Sequence, residues 1–296
     1  MKIMMKSIVI GLTLMMLAGS STASAYTFEK ESFSFGKTTI PYQVSKINHG
    51  QAPSAIVMYL HGGSSRGVDG ELQMQEAAIA TIATYLEQHA IAAYFLVPQC
   101  PSGGAWLSLQ KNVRALLDKY ANLPDTDKDR IYLLGGSMGG TGTWNIVSAN
   151  PGYFAAAMPC AGNPQNCDAA NVAPTAIFTV MGTADALMKM EPVETFVEKL
   201  REAGGHVMFE KEEGYSHAQT CTDSYTDDRL AWVFENSKQA TGISDAPRLN
   251  DKGGMRNDKC YNLSGQRLTQ LQRGLNIVNG RKVMVRKATG RRVSGN

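Results

Sequence analysis

Ser137 stands in the run G-G-S-M-G at 135–139, directly after an apolar stretch and before a segment of helical character. A serine hydroxyl is a weak nucleophile at neutral pH, so a site that uses it must expose it on a tight turn beside a base. Glycines two positions before and after the serine let a strand and a helix meet closely at such a turn. The run therefore predicts a nucleophile elbow. A plain glycine-rich turn is the alternative in a chain with 29 glycines.

A base and an acid for this serine can be chosen by position. Of the five histidines, His217 alone lies in the loop predicted to follow the last core strand. Asp185 follows another predicted strand, between the serine and the histidine in chain order, with a helix N-cap as its alternative role. Asp168 and Asp223 have no such position. The order Ser137, Asp185, His217 predicts a triad in which the imidazole takes the hydroxyl proton and the carboxylate orients the imidazole.

The run H-G-G at 61–63 ends another predicted strand and supplies candidate donors for a developing oxyanion. Backbone N–H groups of Gly62 or Gly63, together with that of Met138, would form an oxyanion hole. An ordinary strand-to-helix turn is the alternative for this run. His61 itself is expected to be structural, because a base at its position would not lie beside Ser137.

Three further residues follow strand ends and are candidates for binding a substrate: Gln99, Trp106 and Asn163. Ligands in sheets of this kind bind outside the carboxyl ends of the strands. An aromatic residue near a loop is at least as often a packing anchor, which is the alternative here.

Short apolar runs that alternate with helical segments predict a mostly parallel sheet covered on both faces, an α/β fold of the doubly wound kind. The segments at 28–35 and 38–44 alternate in polarity and predict an antiparallel hairpin at one edge. The predicted core strands are 54–60, 91–97, 130–134, 154–158, 175–181 and 206–210. The predicted helices are 71–88, 109–120, 139–149, 192–203 and 227–237.

Residues 1–25 have the pattern of a secretory signal peptide: two lysines, an apolar run of about ten residues and a small-residue end at Ala23-Ser24-Ala25. The apolar run is shorter than the roughly 20 residues that a membrane span requires, and no later segment approaches that length. The mature protein is therefore expected to be secreted, periplasmic or on the cell surface, without a membrane span.

The charge of the chain changes near residue 240. Residues 26–240 hold 15 Lys and Arg against 23 Asp and Glu, whereas 241–296 hold 12 against 3. This change in charge predicts a catalytic domain at 26–240, followed by a linker and a small basic β appendage at 241–296. A basic tail can bind nucleic acid, but a solvated tail is the expectation for an exported protein.

The five cysteines all follow the predicted signal peptide, in a compartment that permits disulfides. Cys160 and Cys167 bracket a short loop and are the first predicted pair, and Cys100 with Cys221 is the second. Cys260 would then be left over, and buried unpaired thiols are the alternative for each. Metal-binding C-x-x-C spacing does not occur.

The sequence resembles the secreted esterase and peptidase branch of the α/β-hydrolases, which is similar to feruloyl and acetylxylan esterases and polyhydroxybutyrate depolymerases. The resemblance covers roughly 35–238 and lies in the stretches 59–67, 97–101 with Trp106, and 135–144. It implies the α/β-hydrolase fold and hydrolysis of esters through an acyl-enzyme, without a cofactor or metal. Residues 261–287 resemble the end of a Bacteroidetes type IX sorting domain, which implies the secretion machinery as a partner.

Three functions follow from these patterns. The preferred one is a secreted serine carboxylic ester hydrolase whose substrates are acyl or feruloyl esters of plant cell-wall polysaccharides. The alternative is a serine peptidase of prolyl-oligopeptidase type, because the same triad cleaves amides. The third is a carbohydrate-binding or surface-displayed protein with a vestigial triad. Fold alone does not choose among them.

Overall fold

The computed structural model describes residues 26–50 and 53–238, together with the backbone of four short strands between 260 and 285. The predicted signal peptide at 1–25 and the linker that begins at 241 lie outside the described residues. Within the described part, every helix is too short or too polar to cross a membrane.

An eight-stranded sheet forms the centre of the molecule, in the spatial order β1-β2-β4-β3-β5-β6-β7-β8. Strands β3 to β8 run parallel, and the β1–β2 hairpin adds antiparallel to β4 at one edge. This confirms the predicted doubly wound sheet with an edge hairpin. The strands are β1 (Glu29–Phe35), β2 (Thr38–Ile47), β3 (Ser54–Leu60), β4 (Ala93–Pro98), β5 (Thr126–Gly136), β6 (Ala156–Cys160), β7 (Ala176–Gly182) and β8 (Val207–Glu212).

Helices cover both faces of the sheet and bury its apolar strands in two large clusters. Helices α2, α3 and α5 pack on one face, and α1 and α7 pack on the other. Both faces of β3, β4 and β7 are buried, which is why these strands read as continuous apolar runs. The helices are α1 (Ala77–Gln88), α2 (Gln110–Ala121), α3 (Met138–Ala149), α4 (Ala169–Val172), α5 (Glu191–Glu202), α6 (His217–Asp223) and α7 (Asp227–Glu235).

The helix predicted at 71–88 is divided in the structure. A 3-10 turn at Leu72–Gln75 precedes α1, and Glu76 between them has an extended backbone with ψ 120°. The sequence predicts a loop after β8, whereas the structure has helix α6 there. Ser216 accepts a hydrogen bond from the Gln219 N–H while the Gln219 side chain accepts one from the Ser216 N–H. This capping box was readable in the sequence and makes His217 the first residue of the helix.

A second, four-stranded sheet lies in the C-terminal region, as predicted for a small β appendage. Its antiparallel strands are β9 (Cys260–Tyr261), β10 (Arg267–Leu268), β11 (Gly274–Val278) and β12 (Arg281–Val285), in the order β10-β9-β11-β12. The pair Asn279-Gly280 between β11 and β12, a sequence typical of hairpin turns, lies outside the described residues.

The predicted disulfides were wrong for the four described cysteines, all of which are free thiols. Cys160 belongs to the apolar cluster beside α1 and α7, whereas Cys167 packs against the cluster on the other face of the sheet. Cys100 lies beside Gly104, while Cys221 contacts Gly136 at the end of β5. Closeness in sequence therefore did not indicate closeness in space, since the sheet separates the first pair.

Candidate active site

The three residues of the predicted triad meet at the carboxyl ends of their strands. The Ser137 Oγ lies 2.8 Å from the Nε2 of His217. The Nδ1 of His217 lies 2.7 Å from the Asp185 Oδ2. The Asp185 side chain is fully buried, and that of His217 is 16% exposed. Because an ionised carboxylate only accepts hydrogen bonds, Nδ1 carries the imidazole proton and Nε2 is free to accept the serine proton.

Ser137 occupies the tight turn that the glycine pattern predicted. Its φ of 57° and ψ of −119° are a strained combination for a residue with a side chain. The turn persists because the chain packs closely around it: the Ser137 N–H donates to the Cys160 carbonyl at 3.1 Å. A Cβ on Gly139 would overlap the Leu60 carbonyl oxygen, and one on Gly140 would overlap that of Cys160. Helix α3 can start this close to the sheet only with glycine at both positions.

Asp185 orients the imidazole and is not a helix N-cap, because the next helix, α5, has Met190 as its N-cap. Its Oδ1 accepts the backbone N–H groups of Leu187 and Met188, each at 2.8 Å, and its Oδ2 accepts the imidazole proton. The turn that follows β7 thus fixes the carboxylate so that its second oxygen faces His217. By contrast, Asp168 caps α4 through the Ala170 N–H.

Two backbone N–H groups beside Ser137 are free to bind an oxyanion, and they differ partly from the predicted set. The N–H groups of Gly63 and Met138 make no hydrogen bond within the described chain. The Gly62 N–H instead donates to the Glu76 carboxylate at 2.7 Å, so Gly62 must be removed from the predicted hole. The sequence gives no sign of this contact, because Glu76 lies 14 positions after Gly62 and no motif joins them.

His61 fixes the turn after β3 and is structural, as expected. Its side chain is fully buried, and burial lowers its pKa to about 4. The Cys100 N–H donates to its Nε2 at 2.9 Å, so the proton of the neutral ring is on Nδ1, which donates to the Gly62 carbonyl at 2.6 Å. The ring therefore holds the peptide plane whose other end is the free Gly63 N–H.

Two of the three predicted substrate-binding residues are packing residues. The side chains of Trp106 and Gln99 are fully buried, so neither can touch a substrate in this structure. The Trp106 indole N–H donates to the His61 carbonyl at 3.0 Å. The Gln99 amide bonds to Asp69 at 2.8 Å and accepts the Gly70 N–H at 2.7 Å. Both residues support the loop that follows β3.

Asn163, the third predicted binding residue, borders a cavity. Its backbone N–H donates at 2.9 Å to the Oγ1 of Thr141, one turn beyond Ser137 in α3. The amide Oδ1 is buried and has no hydrogen-bond partner in the described chain. The cavity has a volume of about 460 Å³ and lies between the loop after β6 and the start of α5, and Phe196 and Lys199 also line it.

The segment that carries His217 is held by a residue that sequence reasoning missed. Arg229 of α7 is 8% exposed and donates to Glu210 at 2.8 Å, to Glu212 at the end of β8, and to the Ser224 carbonyl at 3.2 Å. Glu212 and Ser224 flank the segment of His217. Arg229 therefore joins its two ends.

A thiol also lies beside the imidazole. The Cys221 Sγ is 3.9 Å from the His217 Nε2, and burial raises its pKa to about 12. The thiol is therefore protonated at neutral pH and does not compete with Ser137 as a nucleophile. Within the described residues, no three acidic, histidine or cysteine side chains are grouped as a metal site.

The chain is similar to known proteins in sequence and in structure. The model of the Dienelactone hydrolase family matches residues 105–241, which include Ser137, Asp185 and His217. A bifunctional acetylxylan esterase/xylanase of Neocallimastix patriciarum is 35% identical over 92 residues, which are 30% of this chain and 13% of that protein. This chain thus matches only a small part of that relative.

Two solved esterases show how far the structural similarity extends. A thermostable esterase is 28% identical with a TM-score of 0.62, over 71% of this chain and 63% of its own. The feruloyl esterase module of Clostridium thermocellum, solved with sinapinate, is 17% identical with a TM-score of 0.57, over 71% and 89%. The chain has the α/β-hydrolase fold, as predicted.

Proposed function

We propose that this protein is a serine hydrolase that cleaves carboxylic esters through an acyl-enzyme on Ser137. The observation that carries the proposal is the pair of contacts of His217, at 2.8 Å to the serine oxygen and at 2.7 Å to the Asp185 carboxylate. A serine held this way has a base within reach of its proton, and the base has an acid that fixes its orientation.

In the first half of the reaction, His217 Nε2 takes the hydroxyl proton while Ser137 Oγ attacks the ester carbonyl carbon. The carbonyl oxygen becomes an oxyanion, which accepts hydrogen bonds from the N–H groups of Gly63 and Met138. Donors of this kind lower the barrier by about 3 kcal/mol each. The imidazolium then gives its proton to the alcohol oxygen, the C–O bond breaks, and the acyl group stays on the serine.

In the second half, a water molecule takes the place of the alcohol. His217 accepts a proton from that water as its oxygen attacks the acyl carbon, and the same two N–H groups bind the oxyanion. The proton then returns to Ser137 as the acid leaves. Asp185 stays ionised throughout and stabilises the imidazolium.

The substrates that we propose are acyl or feruloyl esters on plant cell-wall polysaccharide, reached by an exported enzyme. Only the short segment 161–175 joins β6 to β7. The site therefore has no large insertion over it at this point, which suits an ester on a polymer. The signal-like residues 1–25 support export, and the tail resembling a sorting domain supports secretion machinery as a partner.

The decisive experiment measures p-nitrophenyl acetate hydrolysis by the purified chain and by Ser137→Ala. We expect turnover that the substitution lowers by several orders of magnitude, because it removes the nucleophile. Ser32→Ala is the matched control, since Ser32 is an exposed serine on the edge strand β1. A fluorophosphonate probe should label the wild-type chain and the control but not Ser137→Ala.

Substrate comparison then separates the alternatives. Acetyl and feruloyl esters should be hydrolysed faster than the corresponding p-nitroanilides. Faster amide cleavage would replace the esterase proposal with the peptidase one. A folded chain that neither turns over esters nor reacts with the probe would support a vestigial triad and overturn the proposal.

A further inference from the structure

The carboxylate of Glu76 binds a neighbouring turn and not its own helix. It stands at the N-cap of α1, yet its side chain does not cap that helix. The carboxylate reaches instead to the turn after β3, where Oε1 accepts the Gly62 N–H and the Ser65 hydroxyl, each at 2.7 Å. Its Oε2 accepts the hydroxyl of Tyr59 at 2.9 Å, and Tyr59 is fully buried. Three donors thus fix one carboxylate.

These contacts bear on two consecutive peptide planes. In the first plane, the His61 carbonyl accepts the Trp106 indole N–H and the Gly62 N–H donates to Glu76. In the second plane, the Gly62 carbonyl accepts the His61 imidazole at 2.6 Å and the Ser65 N–H at 3.3 Å. Three of the four polar groups are held. The fourth, the Gly63 N–H, is free.

The held turn lies directly against the nucleophile. A Cβ placed on Gly62 would be 3.4 Å from Glu76 Oε1 and 3.5 Å from the Cβ of Ser137. Glu76 therefore acts across Gly62 from the serine, and a shift of this turn would move the Gly63 N–H relative to the reacting carbonyl.

We propose that Glu76 is a positioning residue that aims the Gly63 N–H at the developing oxyanion; this inference rests on the proposed esterase function. Glu76 acts through the hydrogen bonds that it accepts and not through its charge, because a negative charge near the oxyanion destabilises it. Glutamine retains an oxygen for Gly62 and Ser65, and its NH₂ group can donate to Tyr59, whose hydroxyl can turn.

The test compares Glu76→Ala with Glu76→Gln in the full chain, using p-nitrophenyl acetate. We expect Glu76→Ala to lower kcat about 100-fold, since a displacement of about 1 Å has an effect of that size, and to change KM less than about threefold. Glu76→Gln should restore kcat to within about fivefold of wild type. Glu71→Ala is the matched control, because Glu71 lies in the same connection and its carboxylate pairs with Lys30 at the surface.

Active sites are counted with the fluorophosphonate probe, so that loss of folded protein is not taken for loss of kcat. Equal kcat per labelled site in Glu76→Ala and wild type would overturn the inference while the esterase function stands. A Glu76→Gln variant with a kcat as low as that of Glu76→Ala would also overturn the inference. The hydrogen bonds that glutamine retains would then not be enough to position the Gly63 N–H.

A second measurement does not depend on ester turnover. In chain labelled with ¹⁵N-glycine, the Gly62 amide proton should lie far downfield and exchange slowly in wild type and in Glu76→Gln. Glu76→Ala should remove both properties and shift the Gly63 resonance. If the wild-type chain hydrolyses no ester, the proposed function fails, and unchanged Gly62 and Gly63 resonances in Glu76→Ala would separately overturn the positioning.

Discussion

The site has two halves that are held by different means. The nucleophile half contains Ser137 and Met138 at the start of α3 and the turn with Gly63. The start of α3 is held by backbone packing, because it lies against the carbonyl groups of Leu60 and Cys160. The side chains of His61 and Glu76 hold only the turn with Gly63. The histidine half consists of His217 and the segment between Glu212 and Ser224. It is held by side chains, namely Asp185 and Arg229.

This difference determines how each half responds to change. Where backbone atoms are packed against each other, one atom cannot move without the rest of its element. An added side-chain atom in the nucleophile half should therefore displace α3 as a whole. A segment held by side-chain hydrogen bonds can shift gradually when one of them is lost. We therefore expect abrupt loss of activity from changes in the nucleophile half and graded loss from changes in the histidine half.

The largest expected effect is that of Gly139→Ala. The new methyl group would overlap the Leu60 carbonyl oxygen, so α3 must move away from β3. This moves both the serine and the Met138 N–H, and kcat/KM should fall by about 10²- to 10³-fold. Steady-state hydrolysis of p-nitrophenyl acetate measures it.

Gly204→Ala is the matched glycine control. Gly204 has a φ of 81° and open space around its Cα, at the end of α5. Its substitution adds backbone strain without overlap, so the free energy of unfolding should fall while kcat/KM per folded chain stays at the wild-type value. Activity retained by Gly139→Ala would contradict the backbone account of the nucleophile half.

Arg229→Met tests the histidine half. Methionine keeps an apolar side chain but leaves Glu210 and Glu212 without their cation, so the free energy of unfolding should fall by about 3 kcal/mol. The loosened segment should lower kcat only about tenfold, because Asp185 still orients His217. Urea unfolding and ester hydrolysis measure the two effects.

Lys211→Met is the matched control, because Lys211 is a cation of β8 that lies between Glu210 and Glu212, the partners of Arg229. Lys211 is half exposed and pairs with Glu194, so its loss should change the free energy of unfolding by less than about 1 kcal/mol and leave kcat unchanged. If Arg229→Met loses stability but keeps full kcat, Arg229 stabilises the fold without positioning His217.

The nucleophile half was largely predictable from the sequence because its determinants are local. The glycines beside Ser137 are adjacent to it in the chain, and each apolar strand could be recognised by itself. The sheet and the chain order of Ser137, Asp185 and His217 followed from the same patterns.

The rest depended on contacts between distant residues. Glu76 takes the Gly62 N–H, and Arg229 binds β8 and the end of α6, without any motif to reveal either contact. Trp106 and Gln99 follow strand ends, but their side chains turn inward to support the loop after β3. Position after a strand predicts where a residue lies and not which way it points.

Acid should affect the nucleophile half through His61. Burial lowers the pKa of this imidazole to about 4, against an ordinary value of 6.5. Above pH 6.5 the ring is neutral in both the folded and the unfolded chain, so the contribution to stability is intact. Between pH 6.5 and 4 only the unfolded chain takes up the proton, and the free energy of unfolding should fall by about 3 kcal/mol from this residue.

Urea unfolding at pH 7, 5.5 and 4 measures this effect. The free energy of unfolding should decline more steeply with falling pH for wild type than for His61→Asn, whose amide does not titrate. If the two chains lose stability equally as the pH falls, the turn with Gly63 accommodates a charged imidazole. The nucleophile half would then not be rigid.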